Sequence, residues 1–165
     1  MTGTFPLNVE FSLTDYNRRN VNISSFAGKL ILVFFGFTNC KVVCPRMLTK
    51  LSLALGLLGN RAKHVQPLYI TVDPARDTPD AMKGFLQHNF PRFLGLTGSE
   101  DEISAAKKSF KVFAEPARRS DDCSDYDVPH TAFIYIIDRE GKYITHLGAA
   151  VDERKIADVL ENALN

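Results

Sequence analysis

The sequence carries almost no excess of either charge. Lys and Arg total 20 against 19 Asp and Glu, a formal net charge of +1. No strong field is therefore available to gather nucleic acid or an anionic membrane surface. The basic pairs Arg18-Arg19, Lys107-Lys108 and Arg118-Arg119 are scattered along the chain and read as solvated surface. Long apolar runs are missing too. The longest, Leu30 to Phe37, falls far short of the roughly 20 residues that span a bilayer. The opening Met1-Thr2-Gly3-Thr4 has neither the basic start nor the apolar stretch of a secretory leader, although a chain trimmed of a leader or anchor would read the same. Cysteine is sparse, with three residues at 40, 44 and 123. An odd count does not build a purely structural disulfide framework, and one close pair with one distant thiol points to chemistry instead. There is no internal repeat and no low-complexity segment.

What is present describes one ordinary globular domain over residues 1–165. Hydrophobic residues make up 45% and charged residues 24%, a balance that supports a packed core rather than disorder. Val9 to Leu13 alternates as a strand does, and Val21 to Ile23 is expected to pair back on it as a hairpin. Leu30 to Phe35 is continuously apolar, which suits a central strand buried on both faces. From Cys44-Pro45 the pattern turns helical, with Met47, Leu48, Leu51, Leu55 and Leu58 on one face and Gly59-Asn60 as the stop. Val65 to Val72 is a second strand. Thr78-Pro79 reads as a cap and first turn of a helix running to Asn89, and Ser99 to Glu102 has capping-box form. Phe110 to Phe113 is expected to be a short strand, followed by an acidic loop from Glu115 to Asp127. Thr131 to Ile137 and Lys142 to Leu147 form a hairpin across Asp138 to Gly141. Asp152 to Leu164 closes the chain as an amphipathic helix. The order β-α-β-α-(α)-β-β-α after an N-terminal hairpin predicts an α/β thioredoxin-like fold, with a mixed central sheet flanked by helices.

Cys40-Lys41-Val42-Val43-Cys44-Pro45 lies between the most apolar strand and the first helix. If that helix begins near Cys40, both sulfurs share one helical face a turn apart. Thiolates that close form a disulfide or hold a soft metal, and a helix N-terminus favours the thiolate. The three-residue spacing differs from that of zinc fingers and of the common two-residue oxidoreductase motif. His64, His88 and His146 lack any such context and read as ordinary surface or core histidines. Asp73 ends a strand at the same sheet edge, where it either orients a ligand or caps the turn through Asp77. Arg76 and Asp77 are expected to brace that loop as a pair.

Phe34-Phe35-Gly36-Phe37-Thr38-Asn39-Cys40-Lys41-Val42-Val43-Cys44-Pro45 resembles the signature of the Sco/SenC copper proteins. Tyr69-Ile70-Thr71-Val72-Asp73-Pro74-Ala75-Arg76-Asp77-Thr78-Pro79 is similar to that family's second motif. Gly95-Leu96-Thr97-Gly98 and the block ending at Asp138-Arg139-Glu140-Gly141 also fit. The likeness implies copper ligation by Cys40, Cys44 and His130. Two thiolates and an imidazole make a soft, low-coordinate set suited to Cu(I), and they tolerate Cu(II). It also implies a metallochaperone role in assembling the dinuclear copper centre of cytochrome c oxidase. The partner would be that oxidase subunit or another copper or thiol protein, on an extracytoplasmic, periplasmic face, with a membrane tether.

Three positions depart from the family pattern. Lys41-Val42 stands where Pro-Asp is frequent, Pro129 stands where an acid usually precedes the histidine, and Cys123 lies seven positions before His130. In thioredoxin-like oxidoreductases a proline, usually cis, precedes this same strand and faces the cysteines. A thiol–disulfide oxidoreductase acting on a copper-protein client is therefore the alternative, with Cys40 attacking and Cys44 resolving. Cys123 reads as a passive thiol, a resolving thiol or an extra ligand.

Overall fold

A computed structural model describes residues 9–36, 43–110, 133–148 and 151–164, with side chains for all of these except 43–45 and 133. The strands are β1 (Ser12–Asp15), β2 (Asn20–Asn22), β3 (Leu30–Gly36), β4 (Val65–Thr71), β5 (Leu94–Thr97), β6 (Phe133–Ile137) and β7 (Tyr143–Gly148). The helices are α1 (Val43–Leu57), α2 (Pro79–Asn89), α3 (Glu100–Phe110) and α4 (Glu153–Leu164). All seven strands form one sheet in the order β2-β1-β5-β4-β3-β6-β7. β3, β4 and β5 run parallel, joined through α1 and α2, while β1, β6 and β7 pair antiparallel. This mixed sheet with helical crossovers is an α/β thioredoxin-like fold.

Why β3 sits at the centre follows from its composition. Every residue from Leu30 to Gly36 is buried, as expected of a parallel strand covered on both faces. Met47, Leu48, Leu51 and Leu55 of α1 are buried, as is Leu58 just after it, whereas Leu53 and Leu57 face outward. Gly59, at φ +60°, then ends α1, a backbone conformation that favours glycine. α4 lays Ile156, Ala157, Leu160 and Leu164 into the same core. Phe35, Phe110 and Tyr135 meet edge-on, with ring centroids 5.2–6.0 Å apart. That cluster locks the end of α3 against β3 and β6.

Local signals in the sequence are realised at most boundaries. Thr78 caps α2 by accepting from the Ala81 amide at 3.2 Å, with Pro79 in the first turn. Ser99 and Glu102 form a reciprocal capping box on α3, at 3.1 and 3.0 Å. β1 and β2 pair as the expected hairpin, although β1 begins at Ser12 rather than Val9. The carboxylate of Asp15 accepts from the amides of Asn17 and Arg19 and so fixes the hairpin turn.

Two expectations are corrected. Phe110 does not open a strand: it is the last residue of α3, because its ring packs into the Phe35–Tyr135 cluster. The strand expected to follow it, through Phe113, lies outside the described residues. The chain also has β5 at Leu94–Thr97, which the sequence pattern does not announce. β5 is stabilised by pairing on both sides, with β4 and with β1.

Candidate metal centre

The topology brings the carboxyl ends of three strands and the start of β6 to one end of the sheet. β3, β4 and β5 are parallel, so their carboxyl ends lie together. β6 is antiparallel to β3, with Phe34 opposite Ile134, so β6 enters the sheet where β3 leaves it. Cys40 follows Gly36 by four positions and His130 precedes Phe133 by three. Covalent geometry limits them to about 14 Å and about 11 Å from those strand ends. Both residues, with Cys123 and Pro129, lie outside the described residues. Cys44 is the second residue of α1. A helix expected from Cys40 is described only from Val43, so the one-face relation of the two cysteines stays an expectation. The first turn of α1 carries no acidic residue, and the positive dipole end of a helix favours a thiolate.

The turn from β4 into α2 borders this edge. Gly36 pairs with Thr71, and the Val72 amide donates to the Gly36 carbonyl at 2.8 Å, which extends the pairing past the ladder. The Asp73 carbonyl accepts from the amides of Arg76 and Asp77 at 3.2 and 3.0 Å. The carboxylate of Asp73 takes Nε of Arg76 at 2.6 Å. Asp73 therefore caps the turn, the second of the two roles open to it from the sequence. Arg76 and Asp77 do brace the loop, but through different partners. Asp77 turns inward, 1% exposed, and accepts from the Thr71 hydroxyl at 2.6 Å. The same hydroxyl oxygen accepts from the Asp73 amide at 2.9 Å. Thr71 was missed from sequence, where one threonine in an apolar strand carries no distinguishing signal.

The other histidines stand apart from this edge. His64 precedes β4 and His88 lies in the last turn of α2, both at the opposite end of the sheet. His146 sits mid-strand on β7, opposite Tyr135, and its Nδ1 hydrogen-bonds the Tyr143 hydroxyl. Burial pushes its imidazole below the ordinary value. Among the described residues no three His, Cys, Asp or Glu side chains converge on a common metal position.

The SCO1/SenC family model matches residues 1–165. The chain belongs to the SCO1/SenC family. An SCO2-like protein of Rickettsia conorii is 37% identical over 153 residues, covering 93% of this SCO1/SenC chain and 75% of the relative. The mitochondrial SCO2 protein of Saccharomyces cerevisiae is 37% identical, covering 92% of this chain and 51% of its own length. Among solved structures, yeast Sco1 superposes with a TM-score of 0.82 at 34% identity, covering 98% of this chain and 96% of that one. Bradyrhizobium japonicum ScoI, solved with copper bound, gives 0.78 at 34% identity, covering 95% and 99%. BsSco, described as having a disulfide switch and as a member of the Sco family of cytochrome c oxidase assembly proteins, gives 0.77 at 25%, covering 97% and 96%.

Proposed function

We propose that this SCO1/SenC protein is a copper metallochaperone that binds its cargo through Cys40, Cys44 and His130 and serves assembly of the dinuclear copper centre of cytochrome c oxidase. The observation that carries this is topological: β3 leaves and β6 enters the sheet at the same edge, and Cys40 follows Gly36 by four positions while His130 precedes Phe133 by three. A likeness to copper-bound ScoI across nearly the whole chain supports copper as that cargo. Thiolates bind the metal only when reduced, so the Cys40–Cys44 redox state gates loading. The imidazole of His130 completes a set that suits Cu(I) and tolerates Cu(II).

One domain over residues 1–165, working on an extracytoplasmic membrane face and handing copper to an oxidase subunit, is the simplest form of this reading. Among the described residues no helix is long and apolar enough to cross a membrane. A second reading, thiol–disulfide exchange by Cys40 and Cys44 on a copper-protein client, is favoured by the likeness to BsSco and its disulfide switch.

The test is an anaerobic copper titration of the reduced protein beside Cys40→Ser, Cys44→Ser and His130→Ala. One tightly held copper, weakened in all three variants, is expected. Copper held no better by the wild type than by the serine variants would refute the copper site. A Cys40–Cys44 couple whose exchange survives His130→Ala without copper binding would leave the oxidoreductase reading standing.

A further inference from the structure

We infer that the buried Thr71–Asp77 pair is a positioning element for the copper-bearing edge, acting through the exit of β3. This rests on the copper-site reading above.

The β4–α2 turn does not need the Asp77 carboxylate for its own closure. The Asp73 carbonyl already holds the Arg76 and Asp77 amides, the Asp73 carboxylate already holds Arg76, and Thr78 already caps α2. Ala75, Arg76 and Thr78 around it are exposed. A carboxylate placed in such a turn gains solvation by pointing outward, and burying it is costly unless hydrogen bonds replace that water. Asp77 nevertheless points inward, onto the hydroxyl of Thr71, which is itself fully buried.

Among the described residues, the contacts of Thr71 lead from the pair to the exit of β3. Thr71 is the β4 residue in register with Gly36. The Thr71 oxygen also receives the Asp73 amide, so the hydroxyl fixes the chain on both sides of Val72. Val72 in turn donates to the Gly36 carbonyl at 2.8 Å. Gly36 has no side chain with which to anchor itself, so this main-chain clamp fixes the end of β3, four positions before Cys40. Groups behind a metal site that orient its ligands are known to set its affinity, and here the orientation would be passed on through the main chain.

The experiment compares Asp77→Asn, Thr71→Val and Thr71→Ser with the wild type. Thr71→Val removes the hydroxyl at nearly constant volume, and Thr71→Ser restores it. Each variant is read for its melting temperature, for Cu(I) affinity by anaerobic competition with a chelator, and for the thiolate-to-Cu(II) charge-transfer band. The expected result is that Asp77→Asn and Thr71→Val lose about tenfold or more in copper affinity and shift the band while remaining folded. Thr71→Ser is expected to recover both readouts. Should Asp77→Asn fail to fold, the Thr71→Val and Thr71→Ser comparison decides alone. Unchanged affinity and an unchanged band in the folded variants, whatever their melting temperatures, would overturn the inference and leave a purely structural brace. Copper binding that is also indifferent to Cys40→Ser and Cys44→Ser would instead remove the copper-site reading on which it stands.

Discussion

Gly95→Ala is expected to destabilise the protein, and the reason lies in how closely α2 lies over β5. A Cβ built on Gly95 meets Leu86 Cδ1 at 2.8 Å, Met82 Cε at 3.1 Å and Met82 Cβ at 3.3 Å. Leu86 Cδ1 and Met82 Cε belong to flexible side chains, but both residues are fully buried. Met82 Cβ is fixed to the helix backbone, so relief requires α2 itself to move. Overpacking of this kind costs about 1–3 kcal/mol. Removing the backbone freedom of glycine returns about 0.5–1 kcal/mol. The net loss spans about 0–2.5 kcal/mol, with a central value of about 1 kcal/mol. In a chain of this length that central value corresponds to a fall of about 2–4 °C in melting temperature. Gly84→Ala is the internal control. It lies in the interior of α2 on the exposed side, with nothing within 4 Å of the added Cβ. There the helical preference of alanine is expected to raise stability by about 0.5–1 kcal/mol. Urea unfolding monitored by circular dichroism measures both changes, the midpoints moving in opposite directions at constant slope. If Gly95→Ala matched or exceeded the wild type, or moved with Gly84→Ala, the close packing of α2 on β5 would be refuted.

Further outcomes follow from single contacts. Thr78→Ala removes the side-chain acceptor for the Ala81 amide and is expected to cost about 1 kcal/mol in the urea midpoint, whereas Thr78→Ser keeps most of it. Arg18 sits at φ +68° in the β1–β2 turn, and its ion pair with Asp80 is exposed on both sides. Arg18→Gly should therefore gain up to about 1 kcal/mol, since relief of left-handed strain outweighs the loss of an exposed pair; a lower midpoint would show that the pair matters more. Burial holds the His146 imidazole below its ordinary value of 6.5. As pH falls through that value the unfolded chain takes up a proton before the folded one does, so stability drops. His146→Gln is expected to flatten this acid limb, and identical slopes in wild type and variant would refute the assignment.

The helix caps and the central strand were legible in the sequence because each depends on near neighbours. Thr78-Pro79 and the Ser99–Glu102 box specify helix starts through bonds spanning a few residues. The stripe Met47, Leu48, Leu51, Leu55 and Leu58 specifies the buried face of α1 through its period alone. The unbroken run from Leu30 to Phe35 already marks a strand covered on both sides. Tertiary structure decided the rest. β5 is four residues long and contains Gly95 and Thr97; it is a strand because β4 and β1 supply its hydrogen bonds. Phe110 stays helical because its ring fills a space between Phe35 and Tyr135, which no local pattern reports. The partners of Arg76 and Asp77 lie only three and six residues away, but that Asp77 turns inward depends on Thr71 being buried in the sheet. Thr71 reaches the sheet edge only because β4 lies in register with β3. Local bonds choose the elements, whereas pairing partners and buried polar contacts depend on which elements meet, and that is fixed only when the core closes.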